Sequence, residues 1–341
     1  NIIKVFKKDG FVLSEPDVLL DSDYIIERSG ENFRKIMLTF EDDTGKSMCL
    51  RPDLTVASCI KYLKDNSKAN SKIYYSGQAY RRSKSLKKVV NYQLGLEIFG
   101  SKNKSLDDLK VLKTITNSIN KIKIKNISIK VGDVSLFKQL IDSLKIPERW
   151  RMRLKRHFWR PKYFEDLLKR LETNSDVDPA TVELDKKKFF EMKNIDQNKE
   201  VASRKVSEII SRFDRKIKDP RSFKENKKTV KIIKDFLKIN CPLDKLEKTL
   251  NNFINKNQLS KSVFKDLSSL KNLSRLNSKI TFSTNFGRDI EYYSGVVFEI
   301  YDSSKKELAR GGRYDSLLKS LGSKKNISAV GAAINLNNLN T

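Results

Sequence analysis

Glycine vanishes from the middle of this chain, with none between Gly132 and Gly287. A stretch that never needs a left-handed or closely approached backbone has little use for tight turns or bulges. From Ser135 to about Leu276 the apolar residues recur at three and four, as in Phe137, Leu140, Ile141 and Leu144 and again in Val230, Ile233, Phe236 and Leu237. That period predicts helices throughout. Breaks are expected near Pro161, Pro179, Pro220 and Pro242, because proline lacks the amide donor that a helix interior requires.

The flanks read differently. Ile36 to Phe40 predicts a strand, Glu41 to Lys46 a hairpin turn and Ser47 to Arg51 its partner. Thr55 to Leu63 predicts a helix after Pro52. Lys72 to Arg82 and Val89 to Gly100 are rich in aromatic and β-branched residues and predict an antiparallel pair. Leu109, Leu112, Ile115 and Ile119 stand at helical spacing within Asp107 to Asn120, and Ile127 to Val131 predicts another strand. After Ser278 strand signals return at Ile280 to Ser283, Gly295 to Tyr301 and Leu308 to Tyr314, and Ala329 to Leu336 predicts a last strand running into a helix. The plan is α+β, an antiparallel sheet flanked by helices with an all-helical insertion. Residues 1–134 and 277–341 form the discontinuous sheet unit and 135–276 the insertion, with no further domain expected.

Composition narrows the partners. The formal net charge is +28, which suits a polyanion such as nucleic acid or an acidic protein. Lysine far outnumbers arginine, and Asn and Ile are abundant. That is the bias of an AT-rich genome, and arginine is the better bidentate phosphate ligand. The bias is therefore the preferred explanation, and nucleic acid is not the expected partner. Trp150 and Trp159 flank a basic stretch of Arg149, Arg151, Arg153, Lys155, Arg156 and Arg160. It reads either as a stacking surface for nucleic acid or, preferentially, as a solvated helix face with both tryptophans in the core. Cys49, Cys59 and Cys241 are the three cysteines and have no metal-ligand spacing, which fits a reducing, cytoplasmic setting without a metal site. No run of eighteen apolar residues and no signal-like leader occurs, so neither a membrane span nor export is expected.

Three segments place polar groups on strands, where burial makes such groups costly unless they serve a purpose. They are Leu50 to Thr55, Tyr80-Arg81-Arg82 with Asn91 to Glu97, and Phe286 to Gly295. Gln93 and Glu97 are four apart and so share one face of a strand. Together the segments offer carboxylates for an ammonium, an arginine for a carboxylate and tyrosines for a planar ring. That inventory fits a free amino acid with a polar side chain. Other chemistries are poorly served. His157 is the only histidine and lies in the basic stretch, which argues against a Ser-His-Asp device or a histidine metal site. No Gly-x-x-x-x-Gly-Lys loop is present, and the pair Gly311-Gly312 more often serves close backbone packing than phosphate binding.

These segments resemble the core of the histidyl-tRNA synthetase family, a class II aminoacyl-tRNA synthetase fold. Leu50 to Thr55 is similar to the family's Leu-Arg-Pro-Glu-x-Thr segment, with Asp53 in place of Glu. Tyr80-Arg81 through Glu97 resembles the second class motif, and Arg288 to Tyr293 the histidine-specific Arg-Gly-Leu-Asp-Tyr-Tyr segment. Gly311 to Asp315 keeps the Gly-Gly-Arg-Tyr-Asp loop, and Ala329 to Leu339 resembles the third motif. The first motif is weaker, around Gly10 to Pro16. The match covers both ends of the chain, and the helical middle corresponds in placement only. The resemblance implies that Asp53, Thr55 and Gln93 hold a histidine ammonium and that Glu97 and Tyr292 address its imidazole. Arg288 would take the carboxylate, with Arg81 and Tyr293 beside them.

The departures point elsewhere. Ser83 stands where the family has a Glu that meets adenine, and Leu86-Lys87-Lys88-Val89 replaces its Gly-Arg-Tyr-Arg. Asn335-Leu336-Asn337-Asn338 replaces the Gly-Leu-Glu-Arg that ends the third motif. A neutral Asn338 cannot supply a cation over a nucleotide. Histidine-facing residues kept beside ATP-facing residues replaced resemble the regulatory-subunit family of ATP phosphoribosyltransferase. That implies a non-catalytic chain that senses histidine, activates a short catalytic subunit in histidine biosynthesis and forms a homodimer through the core, with no cofactor. A divergent or truncated histidyl-tRNA synthetase and a non-catalytic tRNA-binding module are the alternatives.

Overall fold

A computed structural model describes residues 1–29, 31–65, 70–83, 89–173, 179–201, 204–218, 224–276, 279–288 and 290–339. Pro220, Asp289 and the Leu86 to Lys88 part of the shortened loop lie outside the described residues. The chain divides into two compact units. The first comprises 1–136, 239–251 and 264–341, and the second comprises 137–238 and 252–263.

The first unit is built on a nine-stranded sheet. In chain order the strands of the molecule are β1 (Val12–Leu13), β2 (Leu19–Asp21), β3 (Leu38–Glu41), β4 (Ser47–Leu50), β5 (Ser71–Tyr80), β6 (Val90–Phe99), β7 (Ser128–Asp133), β8 (Glu200–Val201), β9 (Arg204–Lys205), β10 (Asn240–Pro242), β11 (Ile280–Ser283), β12 (Val296–Tyr301), β13 (Glu307–Arg313) and β14 (Ala329–Asn335). The large sheet runs β1-β5-β6-β14-β13-β12-β7-β11-β10. Its ladders are antiparallel except β1 with β5 and β11 with β7. Strands β2, β4 and β3 form a small second sheet. The β3–β4 hairpin forms as the sequence predicts, with Gly45 at φ +77° closing its turn and Asp42 accepting from the amides of Thr44 and Lys46.

The helices are α1 (Ile2–Lys8), α2 (Ser22–Ser29), α3 (Glu31–Ile36), α4 (Leu54–Lys64), α5 (Lys104–Lys121), α6 (Val134–Ser143), α7 (Glu148–His157), α8 (Pro161–Thr173), α9 (Pro179–Lys193), α10 (Val206–Lys218), α11 (Asn226–Leu237), α12 (Leu246–Lys256), α13 (Ser268–Leu273) and α14 (Leu317–Ser320). Helix α5 buries Val111, Leu112, Ile115 and Ile119, three of the four apolar residues expected from its period. Helix α4 starts at Leu54 because Asp53 caps it, its carboxylate accepting from the Val56 amide at 3.1 Å. Among the described residues no helix is long and apolar enough to cross a membrane.

The structure differs from the sequence reading in four places. The sheet unit reclaims 239–251 and 264–276, because β10 pairs antiparallel with β11 and α13 packs on α5. A three-residue strand carries too little pattern to show its period. The second unit is not purely helical, since β8 and β9 form a two-stranded ribbon. The last strand runs into a single 3-10 turn, Leu336–Asn338, rather than an α-helix. Of the two tryptophans only Trp150 is in the core, at 2% exposure. Trp159 is half-buried, with the Arg160 guanidinium 4.3 Å from its ring.

Within the second unit a cluster of Phe137, Phe158, Phe164 and Phe236 forms the core, with Phe137 and Phe158 stacked at 3.7 Å. Burying such rings stabilises by area and by ring geometry. Arg151 pairs with Glu148 and Lys155 with Asp142 on the exposed side of α7. Arg149 and Arg153 lie over the Trp150 ring at 5.6 and 5.0 Å.

Candidate functional site

The site is a row of small residues across the sheet that ends on one buried acid. Strand register places Glu97 of β6 opposite Gly331 of β14, Gly331 opposite Gly312 of β13, and Gly312 opposite Val297 of β12. Directly paired residues point to the same face, so this row carries one long side chain, Glu97, above a nearly bare floor. The bareness is required. A Cβ on Gly331 would lie 1.4 Å from Glu97 Oε2, and one on Gly312 would lie 2.8 Å from the Tyr293 ring.

Glu97 is fully buried. Its Oε1 accepts from Thr55 Oγ1 at 2.8 Å and from the Tyr75 hydroxyl at 3.0 Å, and its Oε2 accepts from the Tyr314 hydroxyl. Burial pushes its carboxyl from 4.5 to about 8, and the three hydroxyl donors oppose that rise only in part. Thr55 reaches Glu97 from the first turn of α4. Tyr75 reaches it by lying across Gly95, where a Cβ would be 2.4 Å from the ring. Tyr314 reaches it from the end of β13.

The neighbouring groups complete a polar pocket. Arg81 follows β5 and donates from Nε to the Pro52 carbonyl at 2.8 Å, with Nη2 3.5 Å from Asp53. Tyr292 stacks edge-on against Tyr314 and Tyr293, at 5.9 and 5.1 Å between ring centroids. Desolvation holds its hydroxyl well above the usual range, reinforced by Asp53. Gln93 shares the face of Glu97, four residues away along β6 and opposite Gly77.

The Arg288 segment arrives from the other side. Gly287 has φ +78°, and a Cβ there would sit 2.8 Å from the Val297 side chain. Only glycine meets both demands, and the close approach brings the segment onto the site face. Arg288 is buried and donates to Asn285.

The sequence-predicted residues thus gather on one face. Thr55 and Glu97 are in direct contact, Asp53 and Arg81 pair, Tyr292 and Tyr293 stack beside them, and Gln93 and Arg288 flank the row. Tyr75 and Tyr314 were not among them, although both touch Glu97. The available signal was the glycines: an aromatic opposite Gly95 and a tyrosine closing the Gly-Gly-Arg-Tyr-Asp loop. That loop is anchored by Arg313, which is 5% exposed. It donates to Asp108 at 2.9 Å, Asp315 at 2.9 Å, Ser328 at 2.9 Å and the Lys104 carbonyl at 2.8 Å. Asp108 also accepts from Ser269 at 2.6 Å. These bonds fix the strand end that aims Tyr314.

The arrangement can hold a small cationic or amphoteric ligand. It provides Asp53 at the cap of α4, Glu97 against Thr55 in that helix's first turn, the guanidinium groups of Arg81 and Arg288, and a tyrosine-lined wall. A cleft of about 430 Å³ lies elsewhere, lined by Leu13, Ser14, Ser58, Lys61 and Tyr62.

The chain is 26% identical to the ATP phosphoribosyltransferase regulatory subunit of Allorhizobium ampelinum, over 96% of this chain and 93% of that protein. It is 27% identical to that of Mesorhizobium japonicum, over 98% and 94%. A solved ATP phosphoribosyl transferase (HisG:HisZ) complex from Thermotoga maritima matches with TM-score 0.55 at 22% identity, covering 98% of this chain and 94% of that one. Histidyl-tRNA synthetase from Nostoc matches with TM-score 0.63 at 16% identity, covering 99% and 68%. The fold is therefore that of the class II aminoacyl-tRNA synthetases. The histidyl-tRNA synthetase family model matches residues 1–339, and the chain belongs to that family.

Proposed function

We propose that this chain is a non-catalytic regulatory subunit of ATP phosphoribosyltransferase that binds histidine and activates a short catalytic subunit. The observation that carries the ligand is Glu97, a buried carboxyl held near 8 beside Thr55, Tyr75 and Tyr314. At neutral pH it is largely protonated. An imidazole, which takes a proton near 6.5 in water, can share that proton with it. A neutral acid–base pair avoids the cost of burying separate ions. Asp53, Thr55 and Gln93 take the ammonium, Tyr292 the ring and Arg288 the carboxylate, with Arg81 and Tyr293 beside them. The relatives' names support the regulatory role, and their full-length coverage extends that support to the whole chain.

Histidine feedback then requires that histidine bind the inhibited complex more tightly than the active one. Coupling of about 1–3 kcal/mol is the ordinary range. The test is reconstitution with a short catalytic subunit and a histidine titration. Arg288→Ala and Tyr292→Phe should lose feedback while keeping activation, and unchanged histidine sensitivity in both would refute the site. The family also contains active synthetases, so histidine-dependent ATP–pyrophosphate exchange is the second assay. Robust exchange would overturn the non-catalytic reading, whereas salt-steep tRNA binding without exchange would favour a tRNA-binding module.

A further inference from the structure

The row of residues next to Glu97's row is not bare along its whole length. Two positions along, register aligns Gly95 of β6, Ala333 of β14, Arg310 of β13 and Glu299 of β12 on the same face. Gly95 is covered by Tyr75 and Ala333 is small, but the last two positions are filled. Arg310 pairs with Glu299 and, at 3.0 Å, with Glu307. Glu299 is 5% exposed and also accepts from the Tyr301 hydroxyl. The Glu307 carbonyl accepts from Asn338 Nδ2 at 2.7 Å, which ties the C-terminal 3-10 turn to the same cluster.

The position of this cluster matters for the ligand. Gly287 packs on Val297 and brings Arg288 to that end of the floor. Glu299 is the next residue of β12 to face the same way, roughly 7 Å further along the strand. A group joined to a carboxylate beside Arg288 and lying along this face of the sheet would meet Glu299 and Arg310. Lys130 of β7 stands opposite Glu299 in register and balances the second carboxylate, so the cluster blocks this path by its bulk and its internal pairing rather than by net charge.

We propose that the Arg310–Glu299 pair is a specificity determinant that confines the site to a free amino acid and excludes the same amino acid carrying a nucleotide on its carboxylate. This rests on the reading of the site as a histidine pocket. Arg310 and Glu299 do not touch the amino acid; they close the path beyond its carboxylate.

The experiment is calorimetry with histidine and with a non-hydrolysable histidyl sulfamoyl-adenosine, on the full chain and on Arg310→Ala/Glu299→Ala. The full chain should bind histidine and reject the adenosine conjugate by about 100-fold. The double variant should narrow that ratio about tenfold or more while its histidine affinity stays within about threefold. If the double alanine variant does not fold, Arg310→Ser/Glu299→Ser opens the same path and leaves a hydroxyl at each position. Equal binding of histidine and the conjugate by the full chain would overturn this inference alone. So would an unchanged ratio in a folded variant. Absence of histidine binding would instead overturn the proposed function and this inference with it.

Discussion

Replacing Glu97 by glutamine should change how stability depends on pH more than it changes stability itself. The wild-type carboxyl is raised from 4.5 to about 8 by burial. A folded-state pKa above the unfolded one means that the native state holds the proton more tightly. The contribution is therefore fully present below the ordinary value and is lost as pH rises through the folded one. Between those limits it amounts to about 4 kcal/mol at about pH 5, about 1 kcal/mol at about pH 7 and close to nothing at about pH 9. Glutamine has nearly the same shape. Its carbonyl can accept from Thr55 and Tyr75, and its amide can donate to Tyr314, so near pH 5 the variant should lie within about 1 kcal/mol of wild type. It carries no proton to lose, so its stability relative to wild type should rise by roughly 4 kcal/mol between about pH 5 and about pH 9. Asp133, which burial raises to about 6, adds a slope of the same sign to both proteins and cancels in the difference. Urea unfolding of both across this range measures it. Parallel pH profiles would refute the reasoning, because they would mean that Glu97 is not a neutral buried acid in the folded chain.

Four further outcomes follow from the same contacts. Gly331→Ala should cost about 1–3 kcal/mol by overpacking against Glu97 and abolish histidine binding, which melting and calorimetry would report. Arg313→Ala leaves Asp108 buried without its cation and should destabilise by about 3–5 kcal/mol, read as a lowered urea midpoint. Glu97→Ala should weaken histidine about tenfold or more, and wild-type affinity in a folded variant would count against the proposed pocket. Strand β1 at the edge of the large sheet and β2 at the edge of the small one expose Val12, Leu13 and Leu19 by 68%, 53% and 51%, apolar residues that a second copy is expected to cover; light scattering at micromolar concentration should show a dimer.

The elements of the first unit were legible where the local pattern is strong. The β3–β4 hairpin needs a glycine turn between two apolar runs, and α4 needs a cap before an apolar face; both signals are contiguous in sequence. Of the eight candidate residues only Gln93 and Glu97 lie on a strand, where a polar group contradicts burial visibly without coordinates; Thr55 sits in α4 and the others stand outside the strands, so family resemblance rather than strand pattern singled them out.

What the sequence could not determine depends on contacts distant along the chain. Asn240 to Pro242 joins the sheet only because β11 lies beside it, and three residues have no period to read. The partners of Glu97 come from positions 55, 75 and 314, and no local pattern links them. The glycines at 95, 312 and 331 read as ordinary punctuation in sequence, yet each is a space that Tyr75, Tyr293 or Glu97 fills. The sequence alone determined which chemistry the site face carries. Tertiary structure alone decided that Glu97 would be buried deeply enough to hold its proton, and that Arg310 would stand across the way out. Burial and alignment across strands are properties of neighbours in space, and residue order does not record them.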